Sequence, residues 1–321
     1  MSFVHADHWV WDFWLADDGE RFHLYYLYAS RSLGDPDLRH RHARIGHASS
    51  DDLCTWQDHG PVLGPGDAYG FDGSATWTGS VVRGDDGVWR MFYTGSRFLA
   101  ADSVANIETI GVATSRDLHT WVKAPGPIVV ADPRWYETLD AGTWREEAWR
   151  DPWVFRVGDE WRMLVTARSA DGDLVDRGVI GLATSADLMT WTVRAPASAP
   201  GAGFMHLEVP QHLEIDGRAL LLFSCDTPHL AGERAARGER GGIWVADAPG
   251  PAGYPVGEAT RLLDERHYSG RAIRDRAGQW MLLAFENIGS DGEFVGRLSD
   301  PLPLSWAGET LVVDAEREVA R

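Results

Sequence analysis

The chain has 321 residues, 44% of them apolar and 24% charged, a soluble globular composition with enough apolar residues for a large core. Its net charge of −18 speaks against nucleic acid or an anionic membrane as partner, since both need a basic footprint, and leaves neutral or cationic small molecules open. Cys54 and Cys225 are far apart and in no metal-ligand spacing, so neither a disulfide framework nor a zinc site is expected. Met1-Ser2-Phe3-Val4-His5-Ala6-Asp7-His8 lacks the basic and apolar regions of a signal peptide, and no apolar run reaches membrane-spanning length. A cytoplasmic protein without membrane contact is the expectation.

From the N-terminus, Trp9-Val10-Trp11-Asp12 reads as a strand ending on a carboxylate, followed by Phe22-His23-Leu24-Tyr25-Tyr26-Leu27-Tyr28, apolar on both faces. A third signature is Ile45-Gly46-His47-Ala48-Ser49-Ser50-Asp51-Asp52-Leu53-Cys54-Thr55-Trp56. The order then returns: Trp77-Thr78-Gly79-Ser80-Val81-Val82, Trp89-Arg90-Met91-Phe92-Tyr93-Thr94, and Ile110-Gly111-Val112-Ala113-Thr114-Ser115-Arg116-Asp117-Leu118-His119-Thr120-Trp121. The third round is Arg150-Asp151-Pro152-Trp153-Val154-Phe155, Trp161-Arg162-Met163-Leu164-Val165-Thr166 and Ile180-Gly181-Leu182-Ala183-Thr184-Ser185-Ala186-Asp187-Leu188-Met189-Thr190-Trp191. Glu208-Val209-Pro210-Gln211-His212-Leu213 with Leu220-Leu221-Leu222-Phe223-Ser224 makes a fourth. Tyr268-Ser269-Gly270-Arg271-Ala272-Ile273 with Trp280-Met281-Leu282-Leu283-Ala284 makes a fifth, and Val295-Gly296-Arg297-Leu298-Ser299-Asp300 is a faint echo of the third signature.

Two-faced apolar strands belong inside stacked sheets, and the repeat spacing suits a unit of about four strands. The prediction is an all-β, five-bladed β-propeller of four-stranded antiparallel blades around a central channel, as one domain over residues 1–321. A β-sandwich does not explain why the signatures return in order. The segment 231–241, rich in Gly and charge, is expected to be an exposed, mobile loop.

In a propeller the first strand of each blade lines the channel, so residues remote in sequence converge there. That would gather Asp12, Asp151 and Glu208, with Trp77 and Ser80 from the second blade, Tyr268 and Arg271 from the fifth, and Arg150. A lone carboxylate at a strand end is as well explained by an ion pair. Three on the first strands of three blades point to glycoside cleavage, which needs one ionised carboxylate, one protonated donor and groups for the sugar hydroxyls. Crowded acids raise at least one pKa, which helps keep the donor protonated. His5, His8, His40, His42 and His47 cluster early, but Arg39-His40-Arg41-His42 reads as a solvated loop and the spacings match no ligand motif. No metal or other cofactor is expected.

These motifs resemble glycoside hydrolase family 32, the invertase, levanase and inulinase group, and its relative family 68. Family 32 opens on Trp-Met-Asn-Asp-Pro-Asn-Gly, against Trp9-Val10-Trp11-Asp12-Phe13-Trp14. Its His-Leu-Phe-Tyr-Gln-Tyr is similar to His23-Leu24-Tyr25-Tyr26-Leu27-Tyr28, and its Trp-Gly-His-Ala-x-Ser-x-Asp-Leu-x-x-Trp to residues 45–56. Ser-Gly-Ser-Ala appears as Thr78-Gly79-Ser80-Val81, Arg-Asp-Pro as Arg150-Asp151-Pro152, and the Glu-Cys-Pro segment as Glu208-Val209-Pro210.

The resemblance implies Asp12 as nucleophile, Glu208 as acid/base and Asp151 as transition-state stabiliser with Arg150 beside it, and the converging Trp11, Trp77, Ser80, Tyr268 and Arg271 are expected around the sugar. It implies double displacement on a β-fructofuranoside with retained configuration. Trp11 stands where the family has Asn, as in the Val-Trp-Asp of family 68, and Leu27 stands where it has Gln. A fructosyltransferase, an inverting family 43-like furanosidase and a non-catalytic sugar-binding propeller remain alternatives. The family's C-terminal β-sandwich is not expected here, and a homo-oligomer is one way to supply the pocket wall it helps form.

Overall fold

The computed structural model describes residues 3–248, 250 and 253–314; residues 1–2, 249, 251–252 and 315–321 of the expected domain lie outside the described residues. Its strands form five sheets, each drawn from one continuous stretch of chain and ordered as in the sequence. Blade one is His8–Asp17, Phe22–Ser30, Arg44–Ser50 and Gln57–Leu63; blade two is Ala75–Arg83, Trp89–Phe98, Asn106–Ser115 and Val122–Lys123, with Glu146–Glu147 added parallel to its third strand. Blade three is Trp149–Val157, Glu160–Arg168, Gly178–Ser185 and Thr192–Arg194, and blade four is Glu208–Ile215, Arg218–Cys225, Gly242–Asp247 and Thr260–Asp264. Blade five starts with His267–Arg274 and Trp280–Ile288, then splits its outer part between Phe294–Leu298 and the pair Leu302–Ala307 and Thr310–Val313. The faint third signature is thus a strand paired with Trp280–Ile288. This is the predicted five-bladed β-propeller.

The two-faced second strands follow from stacking. Side chains alternate across a strand, so Leu24 packs towards blade five while Tyr25 packs towards blade two. Phe92 and Met163 meet between blades two and three, Leu164 and Leu221 between three and four, and Leu222 and Leu282 between four and five. Most of the tryptophans serve here: Trp14 and Trp149 are wholly buried wedges.

The Asp-Leu-x-x-Trp signature has a local cause. Leu53, Leu118 and Leu188 sit at φ of 64°, 62° and 65°, a left-handed conformation unfavourable for Leu, and all three are buried. The aspartate before each leucine holds the turn. Asp117 accepts from the N–H groups of His119 and Thr120 at 2.9 and 2.7 Å, and Asp187 from those of Met189 and Thr190 at the same distances. Tyr25 of blade one donates to the Leu118 carbonyl at 2.6 Å, so the turn also ties neighbouring blades. Gly46 of the same signature is there for space: a Cβ would stand 2.3 Å from the Tyr26 ring.

The segment 231–241 differs from the expected mobile loop. It contains a helical turn, Gly232–Ala236, whose Arg234 is buried and donates to the carbonyls of Ala202, Gly257 and Ala259 while its guanidinium lies 4.6 Å from the Phe204 ring centroid. A guanidinium has five donors to satisfy, and here the carbonyls of two loops share them with the Glu239 carboxylate, which accepts from Nη1 at 2.8 Å.

Candidate active site

Each inner strand carries one extra residue in its first half. The register shifts fall between Val10 and Phe13, Trp77 and Gly79, Arg150 and Trp153, Glu208 and Gln211, and Tyr268 and Arg271. Such bulges break the alternation of faces and re-aim side chains. In blades three to five the bulge residues Asp151, Val209 and Ser269 take φ of 58°, 52° and 51°. That strain, of order 1 kcal/mol or more each, is held by acceptors of neighbouring blades, a hydroxyl for Asp151 and Ser269 and the Asp151 carboxylate for Val209. Thr94 accepts the Asp151 N–H and Ser224 the Ser269 N–H, both at 2.9 Å.

Asp12 receives two bulge hydroxyls, Ser269 from blade five on Oδ1 at 2.5 Å and Thr78 from blade two on Oδ2 at 2.9 Å. Asp151 Oδ2 lies 2.8 Å from the Thr166 hydroxyl and 3.1 Å from the Val209 N–H. Glu208 takes a bond on each oxygen: Arg150 Nη2 donates to Oε1 at 2.9 Å and the Tyr268 hydroxyl to Oε2 at 2.5 Å. Arg150 Nη1 turns the other way, to Glu108 at 3.0 Å and Glu146 at 3.1 Å. All three sequence-predicted carboxylates line one cavity of about 710 Å³, together with Trp11, Trp77, Arg150 and Tyr268.

The roof comes from blade one. Between its second and third strands the chain forms a short 3-10 turn, Pro36–Leu38, and a single helical turn, Arg39–His42. Arg39 lies 5.8 Å from the Trp11 ring centroid and 4.1 Å from that of Phe294, and the Trp77 indole donates to the His40 carbonyl at 2.8 Å. Arg39-His40-Arg41-His42 is solvated only in part: it is a helical turn with His40 and His42 exposed and Arg39 and Arg41 half-buried, and its Arg39, His40 and Arg41 line the cavity. Stacking on aromatic faces draws the guanidinium down from solvent.

Burial, then the charge of Asp151, raises the Asp12 carboxyl to about 7 against the two hydroxyl bonds. Burial, opposed by Arg150, also raises Asp151. At Glu208 burial pushes up but is outweighed by the neighbouring His206, Arg150 and the Tyr268 bond, so this carboxyl sits well below the usual range. His206 is itself lowered to about 4 by burial, so at neutral pH the cation still facing Glu208 is Arg150. Crowding does raise a pKa as expected, but on Asp12 rather than on the expected donor Glu208. The reason is that Glu208 has a guanidinium on it and Asp12 has only hydroxyls. Buried Glu108, which shares Arg150 with the other acids, is pushed up to about 8.

The match to the family model named "Glycosyl hydrolases family 32 N-terminal domain" runs over residues 15–285. The chain belongs to glycoside hydrolase family 32. The family 32 match spans Asp151 and Glu208 and opens just after Asp12. The chain is 31% identical over 224 residues to a sucrose-6-phosphate hydrolase of Escherichia coli, covering 68% of this chain and 42% of that protein. It is 31% identical over 297 residues to one from Zymomonas mobilis, covering 85% and 54%. The chain thus spans about half the length of the curated relatives it matches. Among solved structures, an inulosucrase from Halalkalicoccus jeotgali bound to kestose superposes with a TM-score of 0.79 at 22% identity, covering 96% of this chain and 87% of that one. Levansucrase of Bacillus subtilis gives 0.74 at 15% identity, covering 98% and 88%.

Two residues expected at the channel mouth from their place on the first strands lie behind the cavity wall instead. Ser80 is buried, and its hydroxyl accepts the Val154 N–H at 3.1 Å, joining the inner strands of blades two and three. Arg271 is buried 5.0 Å from the Trp153 ring centroid and donates to the carbonyls of Pro210 at 2.8 Å and Val209 at 3.3 Å, holding the bulge of blade four from beneath. In both cases the bulge shifts the facing by one residue, so the neighbours Thr78 and Ser269 reach the site.

The sequence also missed Glu108 and Glu146. The Glu146-Glu147 pair beside Arg150 was a signal, whereas Glu108 carried none. Asn106 and Asn287 add amides to the wall, where the family amides at positions 11 and 27 are replaced by Trp11 and Leu27. His206, Cys225 and Asp226 bring donor atoms within 4.8 Å of one another at the same wall. They make a poor metal set, since Asp226 is bonded to His229 at 2.5 Å and burial pushes the Cys225 thiol up, away from the ligating thiolate. Among the described residues no helix is long and apolar enough to cross a membrane.

Proposed function

We propose that this family 32 chain is a retaining β-fructofuranosidase acting on sucrose, fructo-oligosaccharides or fructans. The observation that carries the reading is the convergence of Asp12, Asp151 and Glu208 on one cavity in a family 32 propeller. The names of its relatives support the substrate class. Asp12 as carboxylate attacks the anomeric carbon while Glu208 gives its proton to the leaving oxygen, and Asp151 holds sugar hydroxyls. Water, deprotonated by Glu208, then cleaves the fructosyl ester and frees Asp12.

At neutral pH the raised pKa leaves a proton on Asp12 and none on Glu208, so the reactive form is the minor partner of a one-proton pair. A glycosidic oxygen that displaces Tyr268 or Arg150 from Glu208 removes a bond that keeps it ionised and draws the proton there. Cytoplasmic residence and a homo-oligomer belong to the same reading, and cell fractionation and light scattering test them.

The test is fructose release from sucrose, inulin and levan by the wild type, Asp12→Ala and Glu208→Ala, with azide as rescue nucleophile. Activity lost in both variants, with fructosyl azide formed by Glu208→Ala, supports the reading. No release from any of the three sugars by the wild type sinks it. Fructosyl transfer is the second reading, favoured by the Val10-Trp11-Asp12 segment. Kestose or longer products at high sucrose would replace hydrolysis with it.

A further inference from the structure

Of the histidines that crowd the N-terminal sequence, His47 belongs to a cluster in space, and its partners there come from elsewhere in the chain. On the outer rim between blades one and two, four imidazoles form a cluster: His23 and His47 on the second and third strands of blade one, His59 on its fourth, and His119 in the Asp117-Leu118-His119 turn of blade two. His47 lies at its centre, with ring centroids 5.2 Å from His23, 4.7 Å from His59 and 4.8 Å from His119, and His59 stands 4.9 Å from His119. One nitrogen from each of His47, His59 and His119 lies within 4.8 Å of the others.

The bonds behind the cluster set the tautomers. Asp18 Oδ2 lies 3.3 Å from His23 Nε2, and His23 Nδ1 lies 3.0 Å from His47 Nε2. Ionised Asp18 can only accept, so neutral His23 donates from Nε2 and accepts at Nδ1, and neutral His47 carries its proton on Nε2. Its Nδ1 therefore keeps an open lone pair. A carboxylate that orients an imidazole for a metal is a common supporting arrangement, here extended by one ring.

The geometry points to a site for a divalent transition metal of the zinc class on this rim, with His47, His59 and His119 as ligands and water in the open position. Tetrahedral zinc with bonds of about 2.0–2.1 Å needs its nitrogens about 3.3 Å apart. His47 is buried and fixed; exposed His59 is bonded through Nε2 to the Ser49 hydroxyl at 2.8 Å, which leaves its Nδ1 to face the ion, and exposed His119 closes the remaining distance by side-chain rotation. The ion would join the third and fourth strands of blade one to the turn of blade two, far in sequence from one another. It is a structural staple, and the inference is independent of the fructosidase reading.

The experiment uses the untagged chain, stripped with chelator and dialysed against Zn²⁺, beside the double variant His59→Ala/His119→Ala and the single variant Asp226→Asn. The expected result is one zinc per chain, affinity at least about tenfold weaker in the double variant and unchanged in Asp226→Asn, and a zinc-dependent rise in melting temperature confined to chains with both histidines. Co²⁺ in place of zinc should show the intense visible bands of a four-coordinate ion. No retained zinc, zinc binding indifferent to the double variant, or binding lost in Asp226→Asn would each overturn the site. Both substituted histidines are exposed, so folding of the variant is checked by its unchanged melting temperature without metal.

Discussion

Arg150 reaches Glu208 through Nη2 at 2.9 Å while its Nη1 faces Glu108 at 3.0 Å and Glu146 at 3.1 Å, and Asp151 lies 3.7 Å from its Nε. One buried guanidinium serves four carboxylates. Lysine carries the charge but not the fork, so Arg150→Lys should lower kcat/KM by about a hundredfold and cost about 3 kcal/mol or more of stability, as broken buried pairs do. Glu108 ionises only above about 8, so adding Glu108→Gln, which removes the most deeply buried of the four carboxyls, should return part of the stability in urea melts run at about pH 9. If the double variant is less stable than Arg150→Lys, the shared-cation account is wrong.

The proton distribution sets a pH profile. In the proposed mechanism the reactive state holds one proton between Asp12 and Glu208, and Asp12 releases it at about 7. In the free enzyme kcat/KM should therefore fall as pH rises through about 7, with the acidic limb set by Glu208 well below the usual carboxylate range. Tyr268→Phe removes a 2.5 Å bond to Glu208, so its acidic limb should move upward, with kcat/KM changed by about tenfold. A Tyr268→Phe profile superimposable on the wild type would refute this assignment.

Glu108 links stability to pH. Its pKa rises from 4.5 to about 8 on folding, chiefly by burial. A raised pKa contributes stability that is fully present below about 4.5 and is lost as pH climbs through about 8. Urea unfolding of the wild type should thus weaken between those two values, and Glu108→Gln should flatten the decline. Asp12, also raised, adds to the wild-type slope with the same sign.

The turns offer a local test. Asp117→Ala and Asp187→Ala each free two backbone N–H groups beside a leucine in the left-handed region, and each should cost about 1 kcal/mol, as helix caps do. The turns sit in different blades, so the two losses should add within about 0.5 kcal/mol in the double variant.

What was legible in the sequence was what is encoded locally. Gly46, Asp52 and Leu53 recur as Gly111, Asp117, Leu118 and Gly181, Asp187, Leu188 because each turn needs the same close approach, acceptor and buried anchor. The carboxylates Asp12, Asp151 and Glu208 were legible because each stands on an inner strand. The rest of the wall depends on geometry that strand alternation does not predict. A one-residue bulge brings Thr78 and Ser269 to Asp12 and leaves Ser80 and Arg271 behind the cavity. Glu108, on a third strand, meets Arg150 only because blades two and three stack, and Arg39 reads as solvent-facing until Trp11 and Phe294 are seen on either side of it.

The hydrogen bond between Ser269 and Asp12 spans 257 residues of chain. It crosses the junction where blade five meets blade one, a junction also fastened by the Leu298 N–H to the Phe3 carbonyl at 3.0 Å and by Arg31 to the Val295 carbonyl at 3.0 Å. Among the described residues no strand is exchanged there, since every blade is built from a continuous stretch. Contacts of such sequence separation form late, after the loop-closure entropy of the whole chain has been overcome. The proposed nucleophile is thus completed by the last blade to be synthesised. A molecule that opens at this junction keeps four intact blades but loses the Ser269 bond to Asp12, so on the proposed mechanism turnover would report whether the ring is shut.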